Sequence, residues 1–203
     1  MSADVDQLAW EAKEASCELA LAAASTKDAA LGAMAQALRR AAPRILSANA
    51  EEAAAAEAAG ESAASVGRLR LNARGLEKAC AGLEAMARLP DPVGRTTDCV
   101  VRPNGLRIRK RRVPLGVIAV IYEPHPGVTI EAAGLCIKSG NACLLRGGRS
   151  ALRADAAIVQ ALREGLASAR LPQAAIGFID DPQRGAHQRL LAGDRLLDLV
   201  IAR

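Results

Sequence analysis

The stretch that most restricts the fold begins at Pro114. From there the chain alternates short, unbroken apolar runs with segments of helical period: "GVIAVIYE" (Gly116–Glu123), "NACLLRG" (Asn141–Gly147), "AAIGFID" (Ala174–Asp180) and "LLDLVIA" (Leu196–Ala202). A strand with one wet face would alternate apolar and polar residues; these do not, so both faces are expected to be covered. Runs of this kind separated by helices predict a four-stranded parallel sheet with helices on its faces, an α/β fold. The intervening helices are legible too. Thr129 is the expected cap and Gly140 the stop of the first. Ser150 starts the second, with Leu152, Val159, Leu162 and Leu166 on its inner face, and a short helix is expected over Arg184 to Leu191.

Ligands of such sheets sit beyond the carboxyl ends of the strands. Here those ends are Tyr122–Gly127, Arg146–Ser150, Asp180–Arg184 and Ala202-Arg203. Arg146-Gly147-Gly148-Arg149 offers backbone amides, two fixed cations and a helix start just after, which suit a phosphate monoester; the same residues also make an ordinary turn. Neither G-x-G-x-x-G nor G-x-x-x-x-G-K-[ST] is present. "YEPHPGVT" brings Glu123 and His125 near the same crevice, though a rigid Pro-x-Pro turn with an incidental histidine is the plainer reading. His187 reads as surface. Cys136 and Cys143 read as small buried hydrophobes, and no Cys-His, Ser-His-Asp or metal-ligand spacing stands out.

Residues 1–92 read as helical. Val5, Leu8, Ala12, Ala15 and Leu19 recur at spacings of three and four. Ser25 with Asp28 resembles a capping box, with Leu31, Met34 and Leu38 inward; Pro43 suits the first turn of a third helix ended by Gly60; Asn72 caps a fourth. Residues 93–113 change character. Asn104-Gly105 between β-branched arms predicts a hairpin, both turn residues taking positive φ. Its second arm carries five cations in six residues: Arg107, Arg109, Lys110, Arg111 and Arg112. Aromatics are 1% of the chain and none lies between these cations, so base stacking lacks a platform. A charged edge strand blunted against aggregation is the plainer reading. Lys and Arg exceed Asp and Glu by 27 against 22, an excess too modest to argue for nucleic acid. Five cysteines without a C-x-x-C read as free thiols in a cytoplasmic chain. No secretion signal is read at the start, and no apolar run is long enough to span a bilayer.

The run "RRVPLGVIAVIYEPHPGVTIEAAGLCIKSGNACLLRGG" (residues 111–148) resembles the γ-glutamyl phosphate reductase (glutamate-5-semialdehyde dehydrogenase) family of the aldehyde dehydrogenase superfamily. So do "LPDPVG" (Leu89–Gly94), "ILSANAEE" (Ile45–Glu52), Asp180-Asp181-Pro182 and the closing "LLDLVIAR". The resemblance implies an aldehyde-dehydrogenase-like, Rossmann-type sheet. It assigns residues 1–92 to the helical part of a cofactor domain, 93–113 to a hairpin for oligomerisation, and 114–203 to an NADP-binding part that stops after its fourth strand. It implies NADPH-dependent reduction of γ-glutamyl phosphate to glutamate 5-semialdehyde in proline biosynthesis, through a cysteine thioester. The family's nucleophilic cysteine lies further along than residue 203, so the 203-residue chain alone is expected to be inactive. The other reading is a non-catalytic NADP-binding or assembly module. Implied partners are the two small molecules, further copies of the chain as a homo-oligomer, and glutamate 5-kinase.

By the same resemblance, Arg146, Gly147, Gly148 and Arg149 hold the adenosine ribose end of the cofactor, where two cations favour a 2′-phosphate. Tyr122 and Glu123 line the cofactor crevice. The family's usual "E-x-R-P-N-V-T" is replaced here, with His125 at the arginine and Gly127 at the asparagine of the substrate loop.

Overall fold

The computed structural model describes residues 5–180 and 196–202. Four helices come first: α1 (Val5–Ala20), α2 (Ala24–Ala58), α3 (Ala63–Leu69) and α4 (Ala73–Arg88). The hairpin follows as β1 (Thr96–Val101) and β2 (Arg107–Arg111), then β3 (Val117–Ile121), α5 (Pro126–Lys138), β4 (Ala142–Arg146), α6 (Leu152–Ser168), β5 (Ile176–Phe178) and β6 (Leu199–Ala202). The segment expected to form a helix over Arg184–Leu191, with His187 and Asp181-Pro182, lies outside the described residues.

The four apolar runs form one parallel sheet in the order β5-β4-β3-β6. Asn141 sets the start of β3 against β4, its Oδ1 accepting from the amides of Leu115 (2.7 Å) and Gly116 (3.0 Å). Asp198 does the same for β6. Its Oδ2 accepts from the Val117 amide (2.8 Å), and its backbone N–H returns a bond to the Val117 carbonyl (2.9 Å). Lys13 of α1 neutralises that carboxylate at 2.7 Å. β3, β4 and β5 run outward in one direction and β6 is placed on the other side of β3. The order of strands therefore reverses between β3 and β6, and the crevice beyond their carboxyl ends is the expected ligand position.

One hydrophobic core joins α1, α2, α4, α5, α6 and the sheet, from Leu19, Leu31 and Leu38 to Ile137, Leu144 and Leu162. A satellite of Ala53, Ala56, Val66, Leu69 and Ala151 ties the end of α2 and α3 to the loop after β4. The hairpin is exposed along both strands and stands off this core.

Four local expectations are corrected. Pro43 does not open a third helix but lies inside α2, which runs unbroken for 35 residues. An interior proline costs ~3 kcal/mol, but Ala35, Ala37 and Leu38 before it and Ile45, Asn49 and Ala53 after it are all buried. Burying a leucine or isoleucine is worth about 1.5–3 kcal/mol each, so packing outweighs the break. Ser25 and Asp28 make no capping box. The cap position is Ala23, with no side-chain bond, and Asp28 instead pairs with the buried Lys138 at 2.5 Å. Thr129 does not cap α5; Pro126 takes the first turn, His125 precedes it, and Thr129 is buried. In the hairpin turn only Gly105 takes positive φ (+83°), because Pro103 favours an ordinary turn from Arg102 to Gly105 with the left-handed residue after it. The Asn72 cap does form, its Oδ1 accepting from the Gly75 amide at 2.8 Å.

Candidate functional site: the crevice at the end of β3

The loop after β3 and the loop after β4 meet. Tyr122 extends the strand pairing, its amide donating to the Arg146 carbonyl at 3.1 Å. A Cβ on Gly148 would fall 2.2–2.7 Å from the Pro124 ring, so only glycine lets the loops approach this closely. A Cβ on Gly147 would fall 2.2 Å from Asp155 Oδ2. Both glycines are therefore required by packing, whatever else they hold. Arg146 is buried at 8% exposure and Arg149 is exposed. The pair of cations expected side by side is thus split between interior and surface.

The start of α6 is also not the open anion site that its position suggested. Glu52 of α2 accepts from the amides of Arg153 (2.7 Å) and Ala154 (3.1 Å). A carboxylate from this chain already uses the positive end of that helix. Burial nevertheless raises the Glu52 carboxyl above its ordinary value, against the pull of those amides and of Arg153. Glu61 holds the same loop from α3's side, accepting from Ser150 Oγ (3.0 Å) and Ser65 Oγ (2.8 Å).

Beneath the glycines lies a chain of hydrogen bonds. Thr129 Oγ1 donates to Asp155 Oδ1 at 2.6 Å. Its single proton being spent, the Tyr122 hydroxyl must donate to Thr129 across 2.8 Å. Asp155 is 0% exposed and its Oδ2 has no hydrogen-bond partner. Burial pushes this carboxyl up to about 7, opposed by the Thr129 bond and aided by the charge of Glu52. Burial likewise raises the Tyr122 hydroxyl, with the Asp155 charge adding to it.

Tyr122, Glu123 and His125 line one cavity of about 290 Å³ with Val128, Glu131 and Arg68. Gly127 lies beside it, and a Cβ there would fall 3.2 Å from the His125 ring. The two departures from the family's motif in this loop are therefore one spatial change, the imidazole occupying room beside the missing side chain. Sequence reasoning missed Asp155, Glu52, Arg68 and Glu131. Asp155 had a signal: it falls on the same helical face as Ile158, Val159 and Leu162, a carboxylate inside an apolar stripe.

Of the five cysteines, Cys80, Cys136 and Cys143 are buried. Its contact with Cys136 and its full burial raise the Cys143 thiol well above the usual range, and burial raises that of Cys80. Among the described residues no cluster of His, Cys, Asp and Glu could hold a metal, and no helix is long and apolar enough to cross a membrane.

A parallel sheet with reversed strand order, helices on its faces, a ligand crevice beyond β3 and an exposed hairpin define an aldehyde-dehydrogenase-like α/β fold. A probable aldehyde dehydrogenase of Listeria monocytogenes superposes on 97% of the chain with a TM-score of 0.73 at 20% identity, a likeness of fold. No protein-family model matches the chain. Over its whole length, however, the chain matches the N-terminal half of γ-glutamyl phosphate reductases. It is 48% identical over 203 residues to the one from Anaeromyxobacter dehalogenans and 48% over 193 residues to that of Caulobacter vibrioides. The crystal structure of the Thermotoga maritima γ-glutamyl phosphate reductase aligns with 98% of this chain and 48% of its own, with a TM-score of 0.95 at 37% identity. The chain spans about half the length of the curated relatives it matches.

Proposed function

We propose that this chain forms the cofactor-binding part of an NADPH-dependent reductase converting γ-glutamyl phosphate to glutamate 5-semialdehyde, a step of proline biosynthesis. The observation that carries this is the 48% identity to named γ-glutamyl phosphate reductases across all 203 residues, which includes every segment around the crevice. The residues fit a dinucleotide. The crevice lies where the strand order reverses, Gly147 and Gly148 let the loop after β4 close on Pro124 and Asp155 beside it, and the exposed Arg149 supplies a guanidinium fork for a 2′-phosphate. Arg146, in contrast, acts from inside the loop and helps shape it. NADPH, when bound, supplies the hydride.

The chain's own residues bind and orient. Arg149 and the amides of Gly147-Gly148 receive the ribose end. Tyr122 and Glu123 border the crevice. The bonds from Tyr122 through Thr129 to Asp155 tie the end of β3 to the first turns of α5 and α6. Reduction at the acyl level also requires a thiolate facing the cofactor. The buried Cys80, Cys136 and Cys143 are poor candidates because buried thiols carry little thiolate, and the exposed Cys17 on α1 and Cys99 on the hairpin do not line the cavity beside β3. The 203-residue chain alone is therefore expected to show no phosphate-dependent NADP reduction with glutamate semialdehyde. The hairpin is the element we assign to assembly with further copies of the chain.

Titration with NADPH and NADH tests the reading. The chain should prefer NADPH, and Arg149→Ala should remove most of that preference, a loss of roughly 1–3 kcal/mol for one charge-assisted hydrogen bond. Equal affinity of the unaltered chain for both cofactors sinks the assignment. NADPH binding without turnover, even when residues of a full-length relative's C-terminal half are supplied, favours the non-catalytic module.

A further inference from the structure

The cavity beside β3 carries a charge pattern that the cofactor does not explain. Arg68 reaches it from the last turn of α3, Glu123 and His125 from the loop after β3, and Val128 and Glu131 from one face of α5. Arg68 and Glu123 form a loose pair, Nε to Oε2 3.6 Å, beyond hydrogen-bonding distance. The guanidinium fork is thus not consumed by Glu123. Arg68, Glu123 and Glu131 are all exposed to the cavity's solvent. One guanidinium faces two carboxylates.

Such a set selects by charge. A lone carboxylate or phosphate would meet two acids of its own sign, and a lone cation would meet Arg68. A group with an ammonium and a carboxylate on one carbon satisfies both: the planar fork of an arginine takes the carboxylate bidentately, and a glutamate accepts from the ammonium. The volume of about 290 Å³ admits a small amino acid but little more. Val128 offers an apolar wall for a methylene chain, and the Tyr122 hydroxyl is already committed to Thr129.

We propose that this cavity binds the free α-amino acid head of the substrate, with Arg68 on the α-carboxylate and Glu131 on the α-ammonium. This rests on the reductase reading for the identity of the substrate, and assigns to Arg68 and Glu131 its specificity for an unblocked glutamyl group. Glu123 flanks Arg68 and keeps it oriented in the absence of ligand. α3 is held over the crevice by Glu61 and by the satellite core around Val66 and Leu69, so Arg68 is presented by packed structure rather than by a free loop.

The probe is L-glutamate γ-methyl ester, which has the free head and no charge at the γ end. It is titrated onto the 203-residue chain by calorimetry or by shifts of the backbone amides from Tyr122 to Glu131. Expected is binding with a Kd on the order of 1 mM. It should weaken about tenfold for the N-acetylated ester, for the α,γ-diester, and for Arg68→Gln and Glu131→Gln, each loss being one charged contact. In Arg68→Gln, esterifying the α-carboxylate should bring no further loss. Both substitutions are at exposed positions, and an unchanged melting temperature shows that the fold persists. Equal binding of the N-acetylated ester, indifference to both substitutions, or no binding overturns the assignment. A chain that binds NADPH but not the probe refutes this inference and leaves the cofactor reading intact. One that binds the probe but not NADPH supports the inference and refutes the cofactor reading.

Discussion

Asp155 has a consequence for stability that can be measured. Its carboxyl rises from 3.8 unfolded to about 7 folded, so the folded chain holds its proton more tightly. The stabilisation is fully present below about pH 4. It is lost as pH rises towards and through 7, where burial of the charged form begins to count against the fold. A displacement of this size is worth at most about 4 kcal/mol. Asp155→Asn keeps the shape and the acceptor for Thr129 and removes the titration. The difference in unfolding free energy between variant and parent should grow in favour of the variant from pH 5 to pH 8; a flat difference refutes the raised value. Asp91 and Asp198 work in the opposite sense. Burial raises each, but the lysine at 2.7 Å (Lys27 and Lys13) and a backbone amide outweigh it and hold both carboxyls low. Their stabilisation is lost as pH falls through the acid range, so the parent should be most stable between these limits. Asn49 is a second polar residue on which packing depends: buried at 1% exposure, it donates to the Leu69 carbonyl (2.8 Å) and accepts from the Leu71 amide (2.6 Å). Asn49→Ala strands both backbone groups and should cost roughly 2–3 kcal/mol in chemical denaturation.

At the scale of elements, the contact between α2 and α6 organises the helical layer. Gly165 makes it possible: a Cβ there would fall 2.5 Å from Met34 Cα and 2.6 Å from its amide nitrogen, both backbone. Alanine favours helix over glycine by about 1 kcal/mol. Here that gain is overcome, because two helix axes must separate, and Gly165→Ala should destabilise by roughly 2–3 kcal/mol. A neutral or stabilising result in thermal unfolding would show that the helices move apart easily. Pro43 gives the complementary case. A helix that packs on both sides of a proline tolerates it, and Pro43→Ala should stabilise α2 by about 1–3 kcal/mol. That α2 is one helix was not legible, since a proline between two helical segments is read locally as the start of a new helix.

For the whole molecule, the hairpin is the element with most to gain from a neighbour. It leaves Val100, Val101, Leu106 and Ile108 at 42–60% exposure while standing off the core. Self-association through it is expected, and Val101→Lys with Ile108→Lys should shift light scattering towards the monomer without lowering the melting temperature of the core. Unchanged mass would place the interface elsewhere. The cations on β2 lie on the same exposed ribbon, so raised salt should weaken any assembly that relies on them.

The sequence alone determined the order of strands and helices, because unbroken apolar runs alternate with segments of helical period. Burial on both faces holds for β3, β4 and β5, whereas β6 pairs with β3 as expected but leaves Leu199 and Ile201 exposed at 40% and 43%. It also determined where the crevice lies and that Gly147-Gly148 ends a strand beside it, and the motif around residues 111–148 carried the family resemblance. The tertiary structure alone decided what each loop residue does there. Arg146 and Arg149 are near neighbours in sequence, yet one is buried and one exposed, since Arg146 is the last residue of the buried strand β4 and the chain emerges from the core before Arg149. Glu52 reaches the α6 amides from about a hundred residues away, and Arg68 reaches the cavity from α3. Such partners meet only when helices pack, and no spacing along the chain encodes that meeting. Thr129 shows the limit most plainly: a hydroxyl at a helix start reads as a cap, but burial gave it Tyr122 and Asp155 as partners instead.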